Sequence, residues 1–350
     1  MNTKLQILLR NPGNWMKYEK VAFHDPPDNI DRVGENHLGK SEFEIFCLFM
    51  MPGMIEEIVQ QALVYARRDK NGHSFDVSTE EMCQFLGLLL VSGYHTLPGE
   101  NDYWSTCEDL SVPIFGKVMS RDRFHQIKRY LHIADNNNLV KSKVIWMLCA
   151  TDGYPCNMEI YCGKSESDGS LLGSRVVMNM LSIVPNSNNH IVFFDNFFTR
   201  HSLLEDLTKK NFRACGTVRE NRTNKCPLVP TNELKKERGT FDYKSDGKII
   251  CVKWNDNAVV TVASNHFTAT PIQKTHRRVK SENKEEVQQP NLIHKYNLGM
   301  GGVDQLDRLA SSYRRRLRSK KWWWGLFSNG LNMSVIAAFR FFQYLHPEQK

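Results

Sequence analysis

The stretch from Lys143 to Val218 constrains the fold most, because its hydrophobic period switches repeatedly between that of a strand and that of a helix. "KVIWMLCATDGYPCNMEIYCGK" reads as two strand runs about a Thr-Asp-Gly turn. "GSRVVMNMLSIV" has helical spacing, "HIVFFDNFF" is a strand again, "RHSLLEDLTKKN" is a helix and "RACGTV" a strand. Strand-strand-helix-strand-helix-strand is the order of an α/β domain with a mixed sheet. Ile191–Phe194 is apolar at every position and then stops on Asp195. A carboxylate at the rim of a hydrophobic strand costs free energy unless a turn, a basic side chain or a metal ion pairs with it.

The remaining segments divide around this domain. Residues 1–40 are polar and broken by Pro12, Pro26, Pro27 and several glycines, and read as an arm with little structure. Residues 41–142 have helical spacing, with a capping-box pattern in which Ser78 or Thr79 precedes Glu81 or Met82. Residues 143–225 and 290–350 form the α/β core. Residues 226–289 read as a β-rich insertion of three short strands with Asp-Gly and Asn-Asp-Asn turns, followed by the charged connector "THRRVKSENKEEVQQP".

At 350 residues, 41% hydrophobic and 24% charged, the chain can bury a core and holds more than one domain. No run approaches the ~18 apolar residues of a membrane span, and no secretory pattern opens the chain, so a soluble intracellular protein without membrane contact is expected. The nine cysteines are scattered without a CxxC or a Cys/His cluster, which argues for reduced thiols rather than disulfides or zinc. The charge is regional. Residues 290–350 carry ten Lys/Arg against three Asp/Glu, a net +7 of the chain's +8. Such a surface suits a polyanion.

"KYNLGMGGVDQLDRLASSYRRRLRSKKWWW" holds both acidic and basic candidates. Val303, Leu306, Ala310, Tyr313 and Leu317 step by three and four, which predicts one helical stripe. Asp304 and Asp307 lie together on its flank, behind Gly299, Gly301 and Gly302, which permit a close backbone approach. Asp304 is explained either as an acidic residue favoured at a helix N-terminus or, with Asp195, as a carboxylate of a two-metal site. Six basic residues, Arg314, Arg315, Arg316, Arg318, Lys320 and Lys321, fill eight positions of the expected helix and suit phosphate contact. At least two of Trp322–Trp324 should pack inward. Arg219 and Arg222 are weaker candidates for DNA contact.

The stretches "RDRFHQIKRYLHIADNN", "EIYCGK", "VFFDNFFTRHSLLEDL", "ACGTVRENR", "ERGTFDY", "VKWNDNAVVTVAS" and "YNLGMGGVDQLD" resemble, in order, the piggyBac transposable element-derived proteins. The resemblance covers roughly residues 41–345. It implies a ribonuclease H-like transposase core behind a helical dimerisation and DNA-binding domain, nuclear location, and DNA cleavage and joining at TTAA sites. Asp195 and Asp304 would be the second and third catalytic aspartates, with Asp307 beside them, holding Mg²⁺ (or Mn²⁺); no small-molecule cofactor is implied.

Two departures qualify that implication. The family's first catalytic aspartate lies on the opening strand of the core, between "YLHIADNNN" and "KVIWMLCAT", where this chain has only "LVKSK". The first strand and its carboxylate are therefore expected to be missing. Asp135 matches another family position and Asp152 suits a hairpin turn, so neither replaces it. The family commonly continues past the point of "LHPEQK" into a Cys/His-rich zinc module, and that module is expected to be lacking here. The expected function is DNA binding with catalysis impaired. Its rivals are an active metal-dependent transposase, a non-enzymatic partner forming homodimers or heterodimers with a full-length relative, and a non-functional product.

Overall fold

Ser41 and Ser78 each precede a glutamate by three residues, and both pairs close as reciprocal helix caps with Glu44 and Glu81. The computed structural model describes residues 4–9, 36–50, 52–133, 144–161, 171–185, 187–278, 284–315 and 317–349. Along the chain, β1 (Lys4–Leu9) comes before five helices: α1 (Glu42–Phe49), α2 (Pro52–Lys70), α3 (Thr79–Tyr94), α4 (Pro113–Val118) and α5 (Arg121–Tyr130). Then come β2 (Val144–Ala150), β3 (Pro155–Tyr161), α6 (Leu172–Met180), β4 (His190–Phe194), α7 (His201–Lys209) and β5 (Arg213–Thr217). The short α8 (Thr231–Leu234) leads into β6 (Phe241–Ser245), β7 (Ile250–Asn255), β8 (Val259–Ser264), β9 (Gln273–Arg278) and β10 (Lys284–Gln289). The chain closes with α9 (Asn291–Gly299), α10 (Gly302–Ser312) and α11 (Trp324–Leu345).

Two units result, one of residues 1–31 and 144–306, the other of 32–143 and 307–350. The first is built on an eight-stranded sheet of order β3-β2-β1-β4-β5-β8-β7-β6. Asp152 and Gly153 turn β2 into β3. The carboxylate of Asp152 accepts the Tyr154 N–H at 3.0 Å, and Gly153 takes φ +88°, where a side chain is disfavoured. β4 and β5 run parallel through the crossover helix α7. Side chains alternate across β4. Val192 and Phe194 enter a cluster with Val177, Leu203, Leu204 and Leu207, while Phe193 enters the opposite one with Val252, Val262, Leu292 and Ile293.

β1 lies in the middle of this sheet. It runs parallel to β2, with Ile7 opposite Ala150, and antiparallel to β4, with Ile7 opposite Val192. Part of the stretch read as an arm of little structure therefore pairs between β2 and β4. The apolar alternation of "KLQILL" is too short to distinguish from background without its neighbours. The junction at Leu139–Lys143 and Asp135 lie outside the described residues.

β6–β8 arise from the stretch read as a β-rich insertion, and β8 pairs antiparallel with β5, which extends the main sheet. The supposed charged connector contributes the β9–β10 hairpin. Its strands lack an apolar pattern and are matched by charge, as in the Lys274–Glu286 pair at 3.0 Å. Residues beyond Leu306 group with the helical unit, whereas the sequence places all of 290–350 in the α/β unit.

The helical unit has its own core, in which Ala62, Phe85, Phe115, Phe124 and Leu131 pack with Leu317, Trp323, Trp324 and Leu331. Arg123 donates two bonds to the Glu81 carboxylate, each 2.8 Å, tying α5 to the start of α3.

Proline at position 7 would remove a ladder donor from a strand paired on both sides. Ile7→Pro is expected to destabilise the chain by about 1–3 kcal/mol, seen as a lower urea midpoint. An unchanged midpoint would mean that β1 does not complete the sheet in solution.

Candidate nucleic-acid interface

Parallel strands end together, so β4 delivers Asp195 to the same sheet end at which β5 delivers Thr217. Asp195 is half-buried and shapes a turn. One carboxylate oxygen accepts the Phe197 N–H at 2.8 Å, and its backbone carbonyl accepts the Thr199 hydroxyl at 2.8 Å. The turn answers part of the question raised by a carboxylate on this strand. Arginine charge surrounds the same turn. Arg219 reaches the Asn196 side-chain oxygen at 3.3 Å, and Arg222 donates to the carbonyls of Asn196 and Phe197 at 2.8 and 2.7 Å. Burial, then the charges of Arg200 and Arg219, lower the Arg222 pKa, while Asp195 opposes them.

From the other side, α9 presents Tyr296, whose hydroxyl lies 3.4 Å from the Thr217 hydroxyl. Burial foremost, with help from the Cys215 and Asp195 charges, pushes the Tyr296 phenol up to about 12, so it stays protonated at neutral pH. Gly299 ends α9 directly on the Phe193 ring, where an added Cβ would overlap the ring carbons. At Gly153 an added Cβ would lie 3.0 Å from the Leu306 amide nitrogen. These approaches bring the start of α10 over β4, two residues before Asp195, and against the β2–β3 turn. Of the glycines expected to permit such an approach, Gly299 does so, whereas Gly301 faces open space.

Asp304 lies in the first turn of α10, and Asp307 one turn further on. Among the described residues, no three His, Cys, Asp or Glu side chains gather as a metal-holding group. One oxygen of Asp195 is engaged in its turn, and the Arg222 charge lies close enough to bear on it.

The basic run departs from its expected helix. α10 stops at Ser312, and described residues 314–321 are non-helical; Arg316 lies outside the described residues. The hydroxyls of Ser311 and Ser312 both bond back to the Arg308 carbonyl, at 2.8 and 3.0 Å, competing with backbone donors at the helix end. Like charges at helical spacing also repel. Val303 and Leu306 are buried, but Tyr313 is 54% exposed and Leu317 is buried outside the helix, so the expected stripe ends early. Arg315 is buried, donates to Ser328 Oγ at 3.1 Å, and is pushed down to about 10 by burial. Lys321 donates to the Lys128 and Leu131 carbonyls at 2.8 and 2.5 Å. Trp323 and Trp324 pack inward as expected, and Trp322 is exposed. Arg314, Arg318 and Lys320 face solvent.

Sequence reasoning does not single out Tyr296, Thr217 or Arg200. All three sit inside motifs of the family resemblance, and that is their only signal.

The chain matches a DDE-type family model described as Transposase IS4, over residues 41–145 and 139–339. It is similar to the human PiggyBac transposable element-derived protein 3, with 33% identity over 344 residues, 80% of this chain and 57% of the relative. The human PiggyBac transposable element-derived protein 2 is 31% identical over 342 residues, again 80% of this chain and 57% of the relative. The chain thus spans somewhat more than half the length of these curated relatives. A cryo-EM structure of a piggyBac transposase synaptic complex with hairpin DNA shares the fold, with TM-score 0.73, 20% identity, and coverage of 90% of this chain and 77% of that one.

Gly299→Ala should force α9 and the Phe193 ring apart and cost about 1–3 kcal/mol, measured by chemical denaturation. Burial, then the charges of Lys128 and Lys70, pushes Lys321 from its ordinary 10.5 down to about 8. Between those values the unfolded chain holds more protons, so this group makes stability rise from pH 8 to 10.5. Lys321→Gln should flatten that rise relative to the parent protein; parallel stability profiles would refute the linkage.

Proposed function

We propose that this chain, which belongs to the IS4-type transposase family, acts as a nuclear DNA-binding protein in which the family's strand-cleaving chemistry is impaired. The observation that carries the binding half is the arginine-lined strand end at Asp195, where Arg219 and Arg222 surround the Asn196 turn. On the helical unit, the exposed Arg314, Arg318 and Lys320 would supply further contacts. These groups would contact backbone phosphates, positioning DNA without reading its sequence. The resemblance to a transposase solved with hairpin DNA supports the same partner.

The impaired half rests on the carboxylates. In a ribonuclease H-like core, phosphoryl transfer needs several hard oxygen ligands around paired divalent ions. Asp195, Asp304 and Asp307 would be the remaining members of that set here. The family match divides where the first carboxylate's segment is expected, near residues 139–145. β1 occupies the adjoining sheet position and runs parallel to β2, whereas a strand leading directly into β2 through a hairpin would run antiparallel to it. A borrowed strand restores backbone pairing without restoring the lost carboxylate. Asp195 then keeps its turn, and the arginines around it set the local charge.

Fluorescence anisotropy with a short duplex at several salt concentrations tests the binding. Arg219→Glu and the double substitution Arg314→Glu, Arg318→Glu should each weaken it and reduce the salt slope by about 0.9 for every phosphate no longer neutralised. No Mg²⁺- or Mn²⁺-dependent nicking is expected. Nicking that disappears on Asp195→Ala would overturn the impaired reading, and absence of any duplex binding would overturn the whole proposal.

A further inference from the structure

In the basic run "RRRLRSKK", residues 314–321, Ser319 is the single hydroxyl. The described residues of this run have left the helix, so no helical ladder has to break to present Ser319. Ser319 is half-buried, and its neighbours Arg318 and Lys320 are exposed. Its Oγ accepts the Lys321 N–H at 3.3 Å, which holds the hydroxyl in a tight turn.

Ser319 also lines an open cleft of about 910 Å³ within the helical unit, together with the end of α2 and the end of α5. It is the one serine or threonine on that lining. Three stretches bring cations there: Lys70, Lys128 with Arg129, and Lys320 with Lys321. Against these five stand two carboxylates, Glu100 and Asp102, and both are engaged. Glu100 pairs with Lys128, and Asp102 accepts the Gly99 N–H at 2.7 Å. Lys70, Arg129 and Lys320 are exposed and have no carboxylate partner among the described residues. Lys321 donates to the Lys128 and Leu131 carbonyls at 2.8 and 2.5 Å, which ties the backbone just after Ser319 to the end of α5. Lys70 and Lys128 both repel the Lys321 charge, and an anion at this place would offset that repulsion.

We infer that Ser319 is a phosphorylation site for an arginine-directed serine/threonine kinase, and that the cleft holds the resulting phosphoserine through Lys70, Arg129 and Lys320. The inference goes beyond the DNA-binding reading and does not depend on it. Kinases select substrates partly by charge pattern, and basic residues on both sides of a serine suit an acidic substrate groove. In the transfer, the Ser319 Oγ attacks the γ-phosphorus of ATP. The Oγ–P bond forms as the bond from that phosphorus to the β-phosphate oxygen breaks. ADP leaves, and the hydroxyl proton passes to the kinase's catalytic carboxylate. The product carries a charge of about −1.5 to −2 at neutral pH and three strong acceptor oxygens. Cations arriving from three directions match those oxygens with charge-assisted hydrogen bonds. The turn alone accounts for a serine at 319, but not for unpaired cations gathered around it from two other helices.

The test incubates the full chain with ATP, Mg²⁺ and the catalytic subunit of an arginine-directed kinase. Peptide mass spectrometry should place one phosphoryl group on Ser319, absent from Ser319→Ala. The phosphorylated protein should melt about 2 °C above the unmodified one. The double substitution Lys70→Gln, Arg129→Gln should remove most of that rise. Phosphorus NMR gives a readout that needs no variant: the phosphoserine should titrate below its ordinary pKa of about 6 in the folded chain and return to it in urea. If a synthetic peptide of residues 313–323 accepts phosphate and the folded chain does not, Ser319 is shielded and the inference fails. A phosphoserine with an ordinary pKa and no thermal shift would show that the cleft does not hold it, which also overturns the inference.

Discussion

β4 has to be covered on both faces and paired along both edges, and the α/β unit is arranged around that requirement. Val192, Phe193 and Phe194 have no exposed surface. Each such side chain contributes roughly 1.5–3 kcal/mol when fully buried, so leaving one face open would forfeit a large share of a domain's net stability. α6 and α7 close one face. α9 closes the other, and approaches closely because Gly299 lacks a side chain above Phe193. β1 and β5 satisfy the edges. With its faces and edges occupied, the strand meets polar groups at its ends, and there the Asp195 turn, Tyr296 and the arginines collect.

A comparable competition shapes the basic segment. Continuing α10 through residues 314–321 would gain only a few tenths of a kcal/mol per residue in propensity, and would stack like charges. Leaving the helix lets Leu317, Trp323 and Trp324 enter the helical core, which is worth several kcal/mol. Burial wins. Two of the six basic residues are drawn inward with it: Arg315 meets Ser328, and Lys321 ties down the end of α5. The run therefore divides into groups that hold the fold and groups, such as Arg314, Arg318 and Lys320, that face solvent. A count of positive charges could not make that division.

Asp195 illustrates how a structural and a functional explanation can share one residue. Its carboxylate closes the turn through the Phe197 N–H, and the same charge bears on Tyr296 and Arg222. The turn alone would account for an aspartate here. Arg219 and Arg222 bond to the same turn, so the carboxylate and the guanidinium groups share one end of the sheet.

Periodicity and local chemistry were sufficient for much of this protein. The elements from β2 to β5, the cap at Ser78, the Asp152-Gly153 turn and the position of Asp195 at a strand end all follow from residues a few places apart. Those signals are local because hydrogen bonds and side-chain periods within one element are local. Pairing across the chain is not. The insertion of β1 between β2 and β4, the joining of β8 to β5 and the charge-matched β9–β10 hairpin depend on partners distant in sequence. So does the meeting of Lys70, Arg129 and Lys320 in one cleft. Only the tertiary structure decided these, because a backbone edge or an exposed cation carries no mark of the partner it will meet until burial elsewhere has fixed where each segment lies.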